Sequence, residues 1–352
     1  MTASKTNSGN YFEDFHVGQV MTHATPRTVT SGDVAIYNAL YGARFAVQSS
    51  DVFARQIGYR AAPVDDLLVF HVVFGKTVPD ISLNAVANLG YADCRFLAPV
   101  YPGDSLSSCS KIIGLRENSS GKTGVVYLRT TGSNQSDQPV VDYVRWVMVR
   151  KRDVNAESCQ TLVPELPEIV DPARLGEALP ALDLAAYDDA LAGSAHRWGD
   201  YNVGECINHL AGVSIEEAEH QMATRLYQNT AKVHFDQFAA KDTRFGRRLI
   251  YGGVVISLAR ALSFNGLENA FHLAAINAGR HVAPCFAGDT VYAWSEVLQR
   301  EPLTGRSDVG ALRLRLVATK DRPCEDFPLK SRDGKDAEGV ILDLDMWVLM
   351  PR

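Results

Sequence analysis

The sequence predicts an α+β fold built from two tandem units, each an antiparallel sheet wrapped around one long apolar helix. Three observations support this prediction: a set of landmarks repeats once along the 352 residues, two runs would be apolar on every side of a helix, and strand-like segments follow each run. A helix without a solvent face must be covered all round, so the sheet of each unit is expected to enclose its helix.

The internal repeat rests on three pairs of landmarks that occur in the same order. The pairs, with their offsets, are Asp14 and Asp200 (186), Asp104 and Asp289 (185), and Trp146 and Trp347 (201). An insertion at 319–339, expected to be a long exposed loop, accounts for the larger last offset. The repeat predicts a first unit at 1–150 and a second at 196–352, joined by a Pro- and acid-rich linker at 151–195.

Each unit has the same order of elements: a short helix, a polar loop, the apolar helix and then four strands. Ser31 and Ser214 are suitable N-caps for the short helices, because a hydroxyl can accept a hydrogen bond from a free N–H of the first turn. The helices are predicted at 31–41, 67–78, 214–226 and 254–264. The strands are predicted at 92–97, 105–115, 124–133, 140–150, 274–282, 290–299, 310–318 and 340–350.

Composition excludes several classes of protein. The formal net charge of −6 argues against a nucleic-acid-binding protein, whose surface would be basic. No apolar run approaches the ~20 residues of a membrane span, and the N-terminus MTASKTNSG has no apolar signal segment. The six cysteines form no Cys-x-x-Cys pair and have no histidine at metal-ligand spacing, so no metal site is predicted. Scattered reduced thiols are typical of a cytoplasmic protein, and we expect that location.

One stretch, 226–264, combines a polar segment, a basic loop and a glycine pair that precedes the second apolar helix. His234 is the candidate general base, because an imidazole accepts a proton near neutral pH. Gly252 is the candidate oxyanion site, because N–H groups in the first turn of a helix have no intrahelical partner. The alternatives are a solvent-bonded loop histidine and an ordinary turn glycine. The other residues singled out here are Asn229, Asp236, Arg244, Arg247, Arg248, Tyr251 and Gly253.

These residues resemble the motifs of the MaoC-like, R-specific enoyl-CoA hydratases, whose hot-dog fold is a sheet wrapped round a single helix. The segment 228–236, QNTAKVHFD, aligns with the family pattern G-D-x-N-P-L-H-x-D, and Tyr251-Gly252-Gly253 aligns with the family's H-G-M. The two-copy length, the Tyr-Phe-Glu-Asp-Phe opening and the 228–236 segment are most similar to mesaconyl-CoA hydratases, also called β-methylmalyl-CoA dehydratases. The resemblance covers both units and implies a double hot-dog fold.

The resemblance implies roles for three residues. His234 falls on the family's catalytic histidine, Gly252 on its oxyanion glycine, and Asn229 where the family usually has a catalytic aspartate. His234 would deprotonate water, and the Gly252 N–H would stabilise the enolate oxygen. Asn229 would hold the water, because a neutral amide cannot act as a general base. Coenzyme A is then part of the substrate, and neither a separate cofactor nor a metal is implied.

Further residues are expected to contact the substrate. Tyr251 and Gly253 flank the oxyanion glycine, and Asp236 could orient a histidine or the loop backbone, with a structural Asx-turn as its alternative. A mesaconyl group carries a free carboxylate and coenzyme A carries phosphates, both of which arginine binds well. A solvated basic run is the alternative for the arginines. The candidates for these charged contacts are Arg244, Arg247, Arg248 and Arg280, and His281 is a further alternative.

The first unit lacks the catalytic residues. At the positions of the base, the water holder and the oxyanion glycine it carries Gln48, Ala43 and Asp66. A carboxylate at the last position would repel a developing enolate. We therefore expect a catalytically degenerate first unit and one active site per chain.

The resemblance, together with these features, implies a hydro-lyase that reversibly dehydrates β-methylmalyl-CoA to mesaconyl-CoA. The alternatives are a hydratase of another enoyl-CoA, straight-chain or itaconyl-like, a thioesterase on the same fold, and a non-catalytic acyl-CoA-binding protein. Because each unit would leave sheet edges exposed, a homodimer is expected.

Overall fold

The computed structural model describes residues 5–156 and 161–352. The strands of these residues form one antiparallel sheet, against which two long buried helices pack. The strands are β1 (Val20–Thr28), β2 (Ala85–Phe96), β3 (Ser105–Glu117), β4 (Thr123–Ser133), β5 (Pro139–Arg150), β6 (Cys206–Asn208), β7 (Val213–Ser214), β8 (His272–His281), β9 (Thr290–Pro302), β10 (Val309–Lys320) and β11 (Val340–Pro351). The α-helices are α1 (Ser31–Tyr41), α2 (Ala46–Ser49), α3 (Asp51–Gln56), α4 (Asp66–Thr77), α5 (Asp189–Ala192), α6 (Glu217–Leu226), α7 (Lys232–Phe235), α8 (Gln237–Ala240) and α9 (Gly252–Leu262).

The strand order divides the sheet into two halves that are joined edge to edge. The sheet runs β1-β3-β4-β5-β2-β8-β11-β10-β9-β6, and β7 also pairs with β9. The halves meet where β2 pairs antiparallel with β8, with Tyr91 opposite Gly279 and Arg95 opposite Ala275. Because this junction is a hydrogen-bonded ladder, both halves share one continuous sheet.

The two apolar helices are buried along almost their whole length. α4 packs against β1, β3 and β5, while α9 packs against β9 and β10. Every residue of α4 after Asp66 is buried, and so is every residue of α9 after Gly252. The prediction of an α+β fold with antiparallel strands around apolar helices is therefore confirmed.

The repeated Gly-Asp turns make the same hydrogen bond in both halves. Asp104 accepts the backbone N–H of Tyr101 at 2.8 Å, and Asp289 accepts that of Phe286 at 2.9 Å. Each bond fixes the turn that leads into the following strand, β3 or β9. Both aspartates therefore have a structural role.

Three local predictions are wrong or incomplete. Ser214 is not the N-cap of α6, because it belongs to β7 and its hydroxyl hydrogen bonds Thr290 Oγ1 at 2.8 Å. The cap of α1 is Thr30 instead of Ser31. The insertion between β10 and β11 is not wholly exposed, since Cys324 is buried beside Trp294.

The segment between the halves is described from residue 161 onward, and residues 157–160, including Cys159, lie outside the described residues. This segment packs onto the sheet, with Val170, Leu184 and Tyr187 buried in one apolar cluster. The five cysteines of the described residues are free. Within residues 5–156 and 161–352, no helix combines the length and the apolar character needed to cross a membrane.

Candidate active site

His234 lies on α7 with its imidazole oriented by the backbone. Its Nδ1 is 2.8 Å from the carbonyl oxygen of Leu249. A carbonyl oxygen only accepts hydrogen bonds, so Nδ1 carries the proton and Nε2 presents its lone pair. Burial lowers the pKa of His234 to about 4, against the opposing effect of the Leu249 hydrogen bond. The imidazole is therefore neutral at pH 7 and suited to accept a proton at Nε2.

The backbone at 251–253 turns sharply into α9. The N–H of Tyr251 donates to His220 Nε2 at 3.0 Å, which fixes the turn immediately before the helix. Gly252 and Gly253 follow as the first two helical residues, so their N–H groups have no intrahelical acceptor. The positive end of the helix dipole lies at the same place. This turn therefore has the donors and the electrostatics that stabilise a negative oxygen.

Gly252 cannot be replaced without moving a neighbouring side chain. A Cβ atom at this position would lie 2.3 Å from both Cε1 and Nε2 of His281. Non-bonded carbon and nitrogen atoms do not approach so closely. The glycine is therefore required by the histidine that packs on it.

The imidazoles of His234, His281 and His220 lie around the Tyr251–Gly252 turn. The ring centroid of His234 is 5.6 Å from that of Tyr251 and 6.4 Å from that of His220. Burial, with a smaller contribution from His234, lowers the pKa of His281 to about 4. Burial likewise lowers the pKa of His220 to about 3, with smaller contributions from His234 and a neighbouring arginine. The site therefore holds three imidazoles that are neutral at pH 7.

From the sequence, His281 was only an alternative contact for the charges of the substrate, and His220 had no predicted role. His220 comes from α6 and His281 from the end of β8, so only folding brings them to the turn. One signal was available for His281. At the offset of 185 between the two units, the residue that corresponds to His281 is Phe96, so only the second unit carries a histidine beside the repeated Ala-Pro turn.

Asn229 and Asp236 are both tied to the backbone of their own loop. Asn229 is buried, and its Oδ1 accepts the N–H of Ala231 at 3.3 Å. Asp236 is the N-cap of α8, where its Oδ1 accepts the N–H of Ala239 at 3.0 Å. This bond is a helix cap and not the Asx-turn that was the alternative for Asp236, and it holds the loop that carries His234.

Tyr251 and Gly253 face the first half of the molecule. The Tyr251 ring is buried, and its hydroxyl lies 3.4 Å from Nδ1 of His71 on α4. A Cβ on Gly253 would meet the rings of Tyr251 and His71 at 2.5 Å or less. His71 is itself buried, with Nε2 3.0 Å from the hydroxyl of Ser257 on α9. These contacts connect α4 to α9 and to the residue that precedes it, Tyr251.

Two of the four predicted arginines are engaged by carboxylates of the protein. Arg280 forms a bidentate pair with Asp336, at 2.9 and 2.6 Å, and also contacts Asp343 at 3.3 Å. Arg248 is buried and pairs with Glu217 of α6. These pairs already neutralise both guanidinium groups.

The other two arginines form a basic aromatic patch with two phenylalanines, which we call the basic rim. Arg247 lies 4.1 Å above the ring of Phe286, and Arg244 lies 4.5 Å above that of Phe245. The two rings are 5.3 Å apart, edge to face. No carboxylate pairs with either arginine within the described part of the chain. Both guanidinium groups are exposed and can meet an anion.

In the first half, the residues at the positions of Gly252 and His234 make hydrogen bonds within the protein. Asp66 accepts the N–H of Leu273 at 3.0 Å and lies 3.1 Å from Nδ1 of His272. Gln48 donates its amide N–H to the carbonyl oxygen of Phe271 at 2.7 Å. Asp66 therefore connects α4 to β8, and Gln48 connects α2 to the residue that precedes β8.

Comparison with protein families and curated relatives gives consistent results. The mesaconyl-CoA hydratase family model matches residues 2–331. The chain is 61% identical over 351 residues to a β-methylmalyl-CoA dehydratase of Chloroflexus aurantiacus, covering 99% of each chain. It is 60% identical over 349 residues to a mesaconyl-CoA hydratase of Cereibacter sphaeroides, covering 99% of this chain and all of the relative.

Solved structures agree on the architecture. A crystal structure of a MaoC domain protein dehydratase from Chloroflexus aurantiacus matches with a TM-score of 0.96, 60% identity and 99% coverage of both chains. A protein of Mycobacterium tuberculosis described as a double hot-dog fold matches with a TM-score of 0.76 over 98% of this chain and 99% of that one, at 24% identity. The double hot-dog prediction is thus confirmed.

Proposed function

The chain belongs to the mesaconyl-CoA hydratase family, and we propose that it catalyses the reversible dehydration of β-methylmalyl-CoA to mesaconyl-CoA and water. It is a hydro-lyase of the enoyl-CoA hydratase type. One observation supports the chemistry most directly. The Leu249 carbonyl holds the His234 proton on Nδ1, which leaves Nε2 as a base close to the free N–H groups of α9.

We propose the following roles in the hydration direction. His234 Nε2 takes a proton from water as the water oxygen bonds to the β-carbon of the enoyl thioester. The electrons of the C=C bond move to the thioester oxygen, where the Gly252 N–H stabilises the enolate. The enolate then collapses as the α-carbon takes the proton from the His234 imidazolium. Asn229 holds the water, and the first unit contributes support without a second active site.

The basic rim is our candidate for binding the charged parts of the substrate. Mesaconyl-CoA carries a free carboxylate and several phosphate charges, and a guanidinium group can bind either kind of anion with two parallel hydrogen bonds. Arg244 and Arg247 suit this role better than Arg248 and Arg280, because protein carboxylates already pair with the last two. Arg247 is also close in the chain to Leu249, whose carbonyl oxygen orients the base.

A direct assay tests the proposed reaction. Purified protein is mixed with mesaconyl-CoA and, separately, with crotonyl-CoA, and loss of the enoyl-thioester absorbance is followed. We expect rapid hydration of mesaconyl-CoA and slow hydration of crotonyl-CoA, because only mesaconyl-CoA offers a free carboxylate to an arginine. A preference for crotonyl-CoA would reject the carboxylate pocket. Absence of hydration with both would reject the proposed reaction, and release of free CoA thiol would indicate a thioesterase.

Replacement of Arg247 by alanine tests the basic rim. We expect KM for mesaconyl-CoA to rise about tenfold with little change in kcat, since one charge-assisted hydrogen bond contributes roughly 1.5 kcal/mol or more. The matched control is Arg116→Ala, which removes an exposed arginine of β3 in the first half. Steady-state kinetics of both variants at two salt concentrations would measure the effect. An equal change in the two variants would exclude a specific role for Arg247.

We also propose that the protein acts in the cytoplasm as a homodimer. The free cysteines and the acyl-CoA substrate support the location. The exposed ends of the sheet at β1 and β6 support association. Light scattering coupled to gel filtration would measure the mass of the assembly, and a monomer at assay concentration would exclude the dimer.

A further inference from the structure

The proposed mechanism gives the enolate oxygen one assigned donor, the Gly252 N–H. An oxyanion that forms in a site closed to water is usually stabilised by at least two preorganised donors. Asn229 is proposed to hold the water and not the enolate oxygen. Asp236 only accepts hydrogen bonds when it is ionised, so it cannot donate one to that oxygen. A second donor from outside the backbone of this turn would have to lie beside Gly252 and have no other partner.

His281 meets both conditions. It ends β8, where it pairs with Leu342 of β11, so the sheet fixes its backbone. Its ring edge faces Gly252, with Nε2 only 2.3 Å from the position that a Cβ would occupy. Within the described residues, Nε2 is buried and has no hydrogen-bond partner. Buried polar atoms are nearly always paired, so an unpaired one at this position indicates a bound partner.

We propose that His281 is a second oxyanion donor, whose neutral imidazole donates its Nε2–H to the thioester oxygen beside the Gly252 N–H. This inference rests on the proposed function, since it assigns a further catalytic residue to the same site. The His281 proton stays on its nitrogen throughout. The bonds that form and break, and the proton carried by His234, are those already given for the hydration.

The surroundings of His281 keep its imidazole neutral and its ring in place. The groups that face it are His234 from α7, the first turn of α9, and the ring of Tyr91 from β2, 6.0 Å away edge to face. A helix N-terminus disfavours a positive charge beside it. Burial lowers the His281 pKa to about 4, with a smaller contribution from His234. A neutral imidazole retains one N–H, so it can donate to a developing oxyanion without transferring its proton.

The test compares His281→Phe with His281→Gln. Phenylalanine keeps an aromatic ring but has no N–H, and the first unit already carries Phe96 at the corresponding position. Glutamine restores an amide N–H near the position of Nε2. We expect the Phe variant to lose about 10²-fold in kcat with little change in KM, as for removal of one oxyanion donor. The Gln variant should recover part of this loss.

A binding measurement tests hydrogen-bond donation by His281 without the hydration step. The ligands are a saturated acyl-CoA thioester and the matching thioether, which has CH2 in place of the carbonyl group. Wild-type protein should bind the thioester more tightly, and His281→Phe should lose much of that preference. If the wild type fails to hydrate mesaconyl-CoA, the proposed function fails, but this comparison still tests the donor.

The outcomes are distinct. Loss of kcat in the Phe variant, recovery in the Gln variant and loss of the thioester preference would support the inference. Unchanged kcat, or equal losses in both variants with the preference intact, would overturn it. Thermal melting checks folding, and His281→Leu replaces the Phe variant if that variant is unfolded.

Discussion

Replacing His234 by alanine is expected to lower kcat for mesaconyl-CoA hydration by about 10²–10⁴-fold, the range that a positioned general base contributes. The loss should come with little change in the affinity for acyl-CoA. No other residue of the 226–264 stretch is an ionisable base with an unprotonated nitrogen at the turn. Asn229 is a neutral amide, and the carboxylate of Asp236 caps α8.

Two further variants make this result specific. His234→Asn can still donate to the Leu249 carbonyl through its amide, so it should preserve the loop but remain as inactive as the alanine variant. His196→Ala removes an exposed histidine of the same unit and should leave kcat unchanged. Turnover within a few-fold of wild type in a folded His234→Ala protein would exclude His234 as the base.

The pH profile of the wild type provides an independent measurement of the same group. His234 acts in its neutral form, and its pKa is lowered to about 4. Acid converts the base to its inactive cation only as the pH falls through this value. We therefore expect kcat/KM to change little between pH 7 and pH 5 and to fall toward pH 4. An acid limb near the ordinary histidine pKa of about 6.5 would indicate a solvent-exposed imidazole instead.

The two central helices could be predicted because their residues are apolar on every side, which no exposed helix tolerates. Strand β1 could not be predicted in this way. Its sequence, VMTHATPRT, contains a proline and little alternation, and its pairing with β3 shifts register between His23 and Arg27. Its strand character comes from the neighbouring β3, which supplies hydrogen bonds that the local sequence does not specify.

The residues of the candidate site also differ in whether the local sequence predicts them. His234 and Gly252 could be proposed from the sequence because they lie 18 residues apart in one stretch with a recognisable pattern. His220 and His281 come from other elements, and their positions follow only from packing of α6 and β8 against the turn. The pairing of Arg280 with Asp336 depends on how the inserted loop folds back, which charge pattern alone does not specify.

Replacing Gly252 by alanine is the second change with a large expected effect. The new methyl group would lie 2.3 Å from His281, so either the ring or the helix terminus must move. Both proposed oxyanion donors would then be displaced together. Since each such donor contributes about 10²–10³-fold, we expect kcat to fall by about 10³-fold or more. The overpacking should also lower the free energy of unfolding by roughly 1–3 kcal/mol.

Gly32→Ala is the matched control, because Gly32 also lies in the first turn of a helix, α1. A Cβ there would meet only the Thr30 hydroxyl, at 3.5 Å, and the change should leave activity intact. The double variant Gly252→Ala/His281→Ala then separates crowding from electrostatics. Removing the imidazole makes room for the methyl group, so stability should recover towards that of the single His281→Ala variant. Activity should stay low, because the imidazole donor is absent. Recovery of kcat together with stability would mean that His281 contributes no hydrogen bond and that the glycine serves packing alone.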